Sequence, residues 1–235
     1  PFTGTYGKDK TGRLIEIKEE KGKIKLKDNG PIQKNRGVYT LKLSKDKKEL
    51  YGILYPTNAF FVYRINSGET VIYEETQLSK ERLALGERHH NAEALLCKEL
   101  GMDEFGRVYG NTENGKIFRY DPKTEHLQIT SVSLPGNSYR RVVSSWTLAE
   151  NGNLYGGITI NGLLFELNPE TLSVKNLGKL YDTENVNGLI ADDGTIYGIT
   201  GDYPERSHGF CYDIETRAYS YFGKSWNKPV RTTYW

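Results

Sequence analysis

Cysteine is nearly absent from this sequence. Cys97 and Cys211 are the only two in 235 residues, and each falls in a separate run that reads as a strand. That placement speaks against a disulfide-stapled scaffold and for two isolated buried thiols. Two thiols leave the compartment open, with a periplasmic or secreted location preferred. Long apolar runs are missing too, so no stretch reaches the length of a membrane span, and no signal peptide is legible. Neither sign of charge is in excess. The 32 basic residues stand against 30 acidic ones, a net charge of +2, which gives no case for nucleic acid as a partner. There is no phosphate-cradling glycine loop, no paired-cysteine zinc spacing and no nucleophile elbow. The 25 glycines therefore read as turn formers, and no cofactor is assigned.

What the chain does contain is a repeat. Residues 151–177 read as turn, strand, turn, strand, turn and strand. Asn151-Gly152 is a hairpin pair whose two positions are both expected at positive φ. A β-rich run over 154–159 leads to a second turn at Asn161-Gly162, then to the apolar run 163–167. Asn168-Pro169-Glu170-Thr171 follows as a type I turn. With the preceding strand at 142–148, this makes four antiparallel strands joined by tight turns, which is one propeller blade. Gly156 is expected at a close sheet-to-sheet contact.

The same text recurs at Val108-Tyr109-Gly110 and at Ile196-Tyr197-Gly198, with weaker copies at Tyr51-Gly52 and Tyr6-Gly7. The Tyr-Gly pairs start at residues 6, 51, 109, 155 and 197, with spacings of 45, 58, 46 and 42, the period of a four-stranded blade. The expected fold is an all-β propeller with five recognisable four-stranded blades in a single domain over residues 1–235. Methionine occurs once and tyrosine 17 times. Tyrosine suits half-buried strands and also sugar-facing surfaces.

Taken in order, residues 1–27 read as a blade without its first strand, with strand two at 2–8, strand three at 13–18 and strand four at 23–27. The alternating Lys and Glu of 18–27 suit a solvated outer edge. The second blade opens at 36. An insertion at roughly 77–91 follows, and its first half predicts a short helix ended by Gly86. Residues 94–102 enter the third blade, and 135–141 precede the fourth. The fifth begins near Val186 and carries an enlarged loop at 201–209. Residues 228–235 read as a spare first strand. They either pair with residues 3–6 to close a five-bladed ring, or the chain is part of a six- to eight-bladed propeller. An opening on Pro1, inside a strand, suggests a processed or trimmed piece.

The run of D-x-x-G, Tyr-Gly, aromatic strand and D-P-x-T resembles the blades of lactonase-type, gluconolactonase-type and lyase-type propellers, over nearly the whole chain but at the level of the repeat. The resemblance implies the fold, and fold does not imply function. Gluconolactonase-type propellers have a similar Asn-Gly before an inner strand, where the Asn binds a metal. Asn187-Gly188 matches in that dipeptide only, with Glu93 or Glu99 as the sole acidic candidates.

In a propeller, loops joining strand four to the next strand one share a face with loops joining strands two and three. That face collects Arg88, His89, His90, Glu93, Tyr139, Arg140, Arg141, Asn187, Arg206 and His208. His126 falls on the opposite face, with the structural turns, and is expected to be solvated. The leading expectation is a carbohydrate-active propeller for an acidic saccharide or other small polar ligand. Its most concrete form is a polysaccharide lyase on uronic-acid-containing chains. His89 or His90 would be the base and Tyr139 the acid. Arg88, Arg140, Arg141, Arg206 and His208 would bind substrate. The alternatives are a non-catalytic sugar- or protein-binding module, and a metal-dependent lactonase or hydrolase centred on Asn187.

Overall fold

Runs that alternate apolar and polar residues pair with one partner face buried, and the Tyr-Gly runs, apolar on both faces, take the middle of each sheet. This computed structural model describes residues 1–6, 11–88, 92–137, 141–180, 185–201 and 207–224, with only the backbone for 85–88, 92–93 and 223–224. The chain falls into two compact units, Pro1–Leu100 and Gly101–Trp235. No helix among the described residues is long and apolar enough to cross a membrane.

The first unit holds two antiparallel sheets. Strands β1 (Phe2–Gly4), β2 (Leu14–Glu20) and β3 (Lys23–Asp28) form the first, and β4 (Gly37–Leu43), β5 (Glu49–Tyr55), β6 (Phe60–Arg64) and β7 (Thr70–Tyr73) the second, each in chain order. Helix α1 (Lys80–Arg88) follows. Strand β1 lies against β4, over a core of Leu14, Val38, Leu50, Leu54, Phe61 and Tyr63. The helix runs through Gly86 rather than ending there. A lone glycine lowers helix propensity by about 1 kcal/mol but terminates nothing unless it turns left-handed.

The second unit holds three sheets, again in chain order. They are β8 (Gly101–Met102), β9 (Val108–Asn111), β10 (Lys116–Asp121) and β11 (His126–Ser133); β12 (Val143–Leu148), β13 (Leu154–Ile158), β14 (Leu163–Asn168) and β15 (Ser173–Lys179); and β16 (Val186–Asp192), β17 (Thr195–Thr200), β18 (His208–Asp213) and β19 (Tyr219–Lys224). Strand β12 lies between β8 and β16. Five such meanders, the first three-stranded and the rest four-stranded, are propeller blades.

Two glycines explain how sheets touch. A Cβ on Gly157 would sit 2.5 Å from the Val186 carbonyl oxygen of the next sheet. A Cβ on Gly4 would land on Val38 of β4 in the same way. Gly4 is therefore the counterpart of Gly157, and Phe2 that of Tyr155. Strand β1 stops at Gly4 rather than continuing through Tyr6, so the repeat's close-contact glycine is Gly4, while Gly7 and Lys8 lie outside the described residues. Gly156 lies on the opposite face of β13 from Gly157, the face of Leu154 and Phe165 that packs on the third sheet. Its Cβ would collide with the Phe165 ring one strand away in its own sheet. The turn chemistry also splits. Asn114-Gly115 (φ 63° and 72°) and Asp193-Gly194 (43° and 69°) have both residues left-handed. At Asn151-Gly152 only Gly152 is (φ 78°), and the Asn151 side-chain oxygen accepts the Asn153 N–H at 3.0 Å instead. Neither cysteine is in a disulfide. Cys97 is buried in a segment outside any strand, and Cys211 is half-buried in β18.

Candidate functional site

In each four-stranded sheet, the connection between strands two and three leaves at the same end as the connections to the neighbouring sheets. In the first unit this end carries an aromatic cluster that the sequence reading missed. Tyr6 follows β1, Tyr39 stands near the start of β4, and Tyr55 ends β5. Tyr6 meets Tyr39 edge-on at 5.4 Å between ring centroids and meets Tyr55 at 5.2 Å, while Tyr39 and Tyr55 are 6.4 Å apart. Tyr39 occupies a register shift between Val38 and Thr40, and the extra residue of such a bulge re-aims a side chain. Tyr6 is 47% exposed, and the other two are half-buried. Leu78, Leu95, Leu96 and the Leu83 side chain of α1 pack beneath Tyr39 and Tyr55.

The insertion that carries α1 is clamped at both ends by one residue. Asn58, fully buried and left-handed at φ 65°, donates its side-chain amide to the Thr76 carbonyl at 3.0 Å and accepts the Cys97 N–H at 2.7 Å. The Thr76 hydroxyl returns a bond to the Asn58 carbonyl at 2.9 Å. The chain departs at Thr76 and comes back at Cys97, to the same side chain.

In the second unit the corresponding end holds Arg141, Asn187 and His208. Arg141 donates to the Leu134 carbonyl at 2.9 Å and the Asn114 carbonyl at 2.6 Å. Its guanidinium thus braces the β9–β10 turn where Gly115 leaves room for it, and its Nε is buried with no acceptor among the described residues. Asn187 begins a bulge in β16, with Gly188 left-handed at φ 61°. The Leu189 N–H just past it goes to the Ser145 hydroxyl at 3.0 Å. His208 opens β18, half-buried, its N–H 3.3 Å from the Thr200 hydroxyl. Glu99 lends its carbonyl to the Cys97 thiol at 3.1 Å, and its carboxylate lies 4.0 Å from Lys42. Among the described residues no group of three or more His, Cys, Asp or Glu is placed to hold a metal. His89, His90, Tyr139, Arg140 and Arg206 lie outside the described residues, as do the side chains of Arg88 and Glu93 and the whole of 228–235.

The opposite end of the second unit is structural, as its D-x-x-G turn suggested. Asp103, fully buried, accepts the N–H groups of Phe105 and Arg107 at 2.9 Å each and the Tyr109 hydroxyl at 2.9 Å. Arg107 joins this carboxylate to Glu170 in the next sheet. Burial and the adjacent Asp103 charge push the Tyr109 phenol well above its ordinary range. His126 is exposed at the start of β11.

No family model matches the chain, and no curated protein matches it in sequence. Solved structures match it in fold. A virginiamycin B lyase from Staphylococcus aureus superposes with a TM-score of 0.63 at 14% identity, over 91% of this chain and 63% of its own. A chain of the mitotic checkpoint complex gives 0.65 at 13%, over 91% of this chain and 58% of its own. The WD40 repeats of RRP9 give 0.57 at 11%, over 79% of this chain and 50% of their own. The chain thus spans between 50% and 63% of the length of these three. Identities this low carry the fold alone. The protein is a β-propeller, of the architecture shared by such lyases and by WD40 proteins.

Proposed function

We propose that this propeller binds a saccharide at the loop end of its first unit, stacking a sugar ring on Tyr6 and Tyr55. The observation that carries this reading is the tyrosine cluster, three rings within 6.4 Å of one another and open to solvent at Tyr6. A tyrosine offers an apolar face to the C–H side of a pyranose and a hydroxyl to its oxygens. The cluster is backed by leucines and so is pre-formed, which limits the ordering cost of binding. The ligand class is an acidic saccharide on the strength of Arg88, a cation in this unit's own insertion that would pair with a carboxylate. Calorimetric titration with neutral and uronic-acid oligosaccharides tests it. Tyr6→Ala should weaken binding by about tenfold, or about 1.4 kcal/mol. Wild-type affinity in the variant, or no binding by any saccharide, overturns the reading.

A catalytic form is the second reading. A virginiamycin B lyase of this fold is catalytically inactive when one histidine is replaced by alanine, so propellers of this architecture can place a histidine at a reacting centre. In this chain His89 or His90 would take the proton beside the carboxylate, Tyr139 would protonate the leaving oxygen, and Arg140 or Arg206 would hold the carboxylate. The assay is the absorbance of an unsaturated product from uronic-acid polymers. His89→Ala or His90→Ala should cost about 10²–10⁴ in turnover. Saccharide binding without product assigns a binding module instead.

A further inference from the structure

The second unit repeats one packing arrangement twice and then leaves it open. Tyr109 and Asn111 of β9 are 0% exposed where β12 crosses them, and Val143 donates its N–H to the Asn111 side chain at 3.0 Å. Tyr155 is 1% exposed and Gly157 is buried where β16 crosses β13. There the Ser144 hydroxyl donates to the Val186 carbonyl at 2.5 Å. Tyr197 and Ile199 of β17 hold the same two positions around the same glycine, yet they are 41% and 43% exposed. Ile190 is paired with Tyr197, and Phe222 with Gly209 beside Ile199, so all four lie on one face of the sheet. Ile190 is 64% and Phe222 53% exposed. On the other face of the same sheet, Ile196, Phe210 and Tyr212 are buried against the fourth sheet.

We propose that this open face is the docking surface for a further four-stranded antiparallel sheet of the same repeat. Its inner strand would cross Tyr197 and Ile199 as β12 crosses Tyr109 and β16 crosses Tyr155. The two existing interfaces state what that strand brings. It starts with a valine set against the second strand of the sheet it covers, Val143 in one case and Val186 in the other. Its main chain also exchanges hydrogen bonds with short polar side chains of the sheet it covers, with Asn111 in the first case and with Ser144, Ser145 and Thr147 in the second. Four large apolar side chains exposed together on one sheet face are the kind of feature that marks an interface, unlike singly scattered ones.

The test compares the chain as it stands with the same chain carrying a second copy of residues 142–180 after Trp235. Hydroxyl-radical footprinting reads Tyr197 and Phe222, with Tyr155 as the buried reference. In the chain alone, a monomer by sedimentation, Tyr197 should label much faster than Tyr155. With the appended sheet, Tyr197 and Phe222 should fall to the level of Tyr155, and Ile199→Lys should restore their labelling. Tyr197 already protected in the monomer overturns the proposal. Protection that rises with concentration alongside self-association assigns the face to a second copy and also overturns it. An appended sheet that stays unfolded counts equally against it, because its own apolar face has then found no partner.

Discussion

The fourth and fifth sheets carry nearly the same text, yet one is packed on both faces and the other on one. In the fourth, Trp146, Leu154 and Phe165 close on the third sheet, while Tyr155 and Leu164 close on the fifth. In the fifth, Phe210 and Tyr212 are covered and Tyr197 and Ile199 are not. A Tyr-Gly pair thus encodes a strand whose two faces are both fit for burial. Which of them is buried is decided by the neighbour, and the energetic weight of each residue follows from that.

The sharpest break between the two sheets should come from deleting an aromatic ring in each. Phe165 is fully buried and meets Trp146 edge-on at 5.1 Å. Phe165→Ala should cost about 3–5 kcal/mol. Phe222→Ala, at a ring 53% exposed, should stay within about 0.5 kcal/mol. Denaturant unfolding of both variants measures the gap, and equal losses would show that the open face is not open in solution.

Next in size is a glycine test. Gly157→Val places a side chain against the Val186 carbonyl, which is backbone and cannot swing aside, so a loss of about 1–3 kcal/mol is expected. Ile199→Val at the equivalent position of β17, where the surface is 43% exposed, should leave the urea midpoint nearly unchanged.

The smallest effect appears at alkaline pH. Burial pushes the Tyr155 phenol up to about 12, against a weaker opposing pull from the Asn151 amide on its oxygen. The folded value lies above the unfolded one of about 10, so the folded state keeps the proton longer. The stability that Tyr155 contributes is complete below about pH 10 and disappears as pH rises towards 12, at no more than about 1.4 kcal/mol per pH unit. Wild type should therefore lose stability more steeply than Tyr155→Phe between these pH values. Parallel curves would mean that water reaches Tyr155 and that the contrast with Tyr197 is overstated.

The blades were legible because tight turns and Tyr-Gly strands leave a period in the sequence. The first blade was misaligned because its letters mislead. Tyr6-Gly7 looks like the repeat, but the backbone contact that defines the position falls on Gly4, where a side chain would strike Val38. The tyrosine cluster was not legible for a different reason. Tyr39 and Tyr55 belong to two strands of one sheet and Tyr6 to the segment after β1 of another, and Tyr39 is re-aimed by a bulge that no periodicity announces. Arg141 was read as a ligand for a carboxylate, an assignment that sequence can suggest but not weigh. Its bonds to two main-chain carbonyls depend on a turn 27 residues away.

Asn58 gives the first unit a socket for new sequence. Because one buried amide secures both the departure at Thr76 and the return at Cys97, the residues between them other than Leu78, Leu83, Leu95 and Leu96, which back the tyrosines, can be exchanged without disturbing β5, β6 or β7. Doubling the length of such a loop adds only about 0.6 kcal/mol of closure entropy. The rest of this insertion is thus the part of the protein freest to diverge. A library of inserts between residues 84 and 94, which keeps the leucines that back the tyrosines, would be a direct route to altered ligand specificity on an unaltered scaffold.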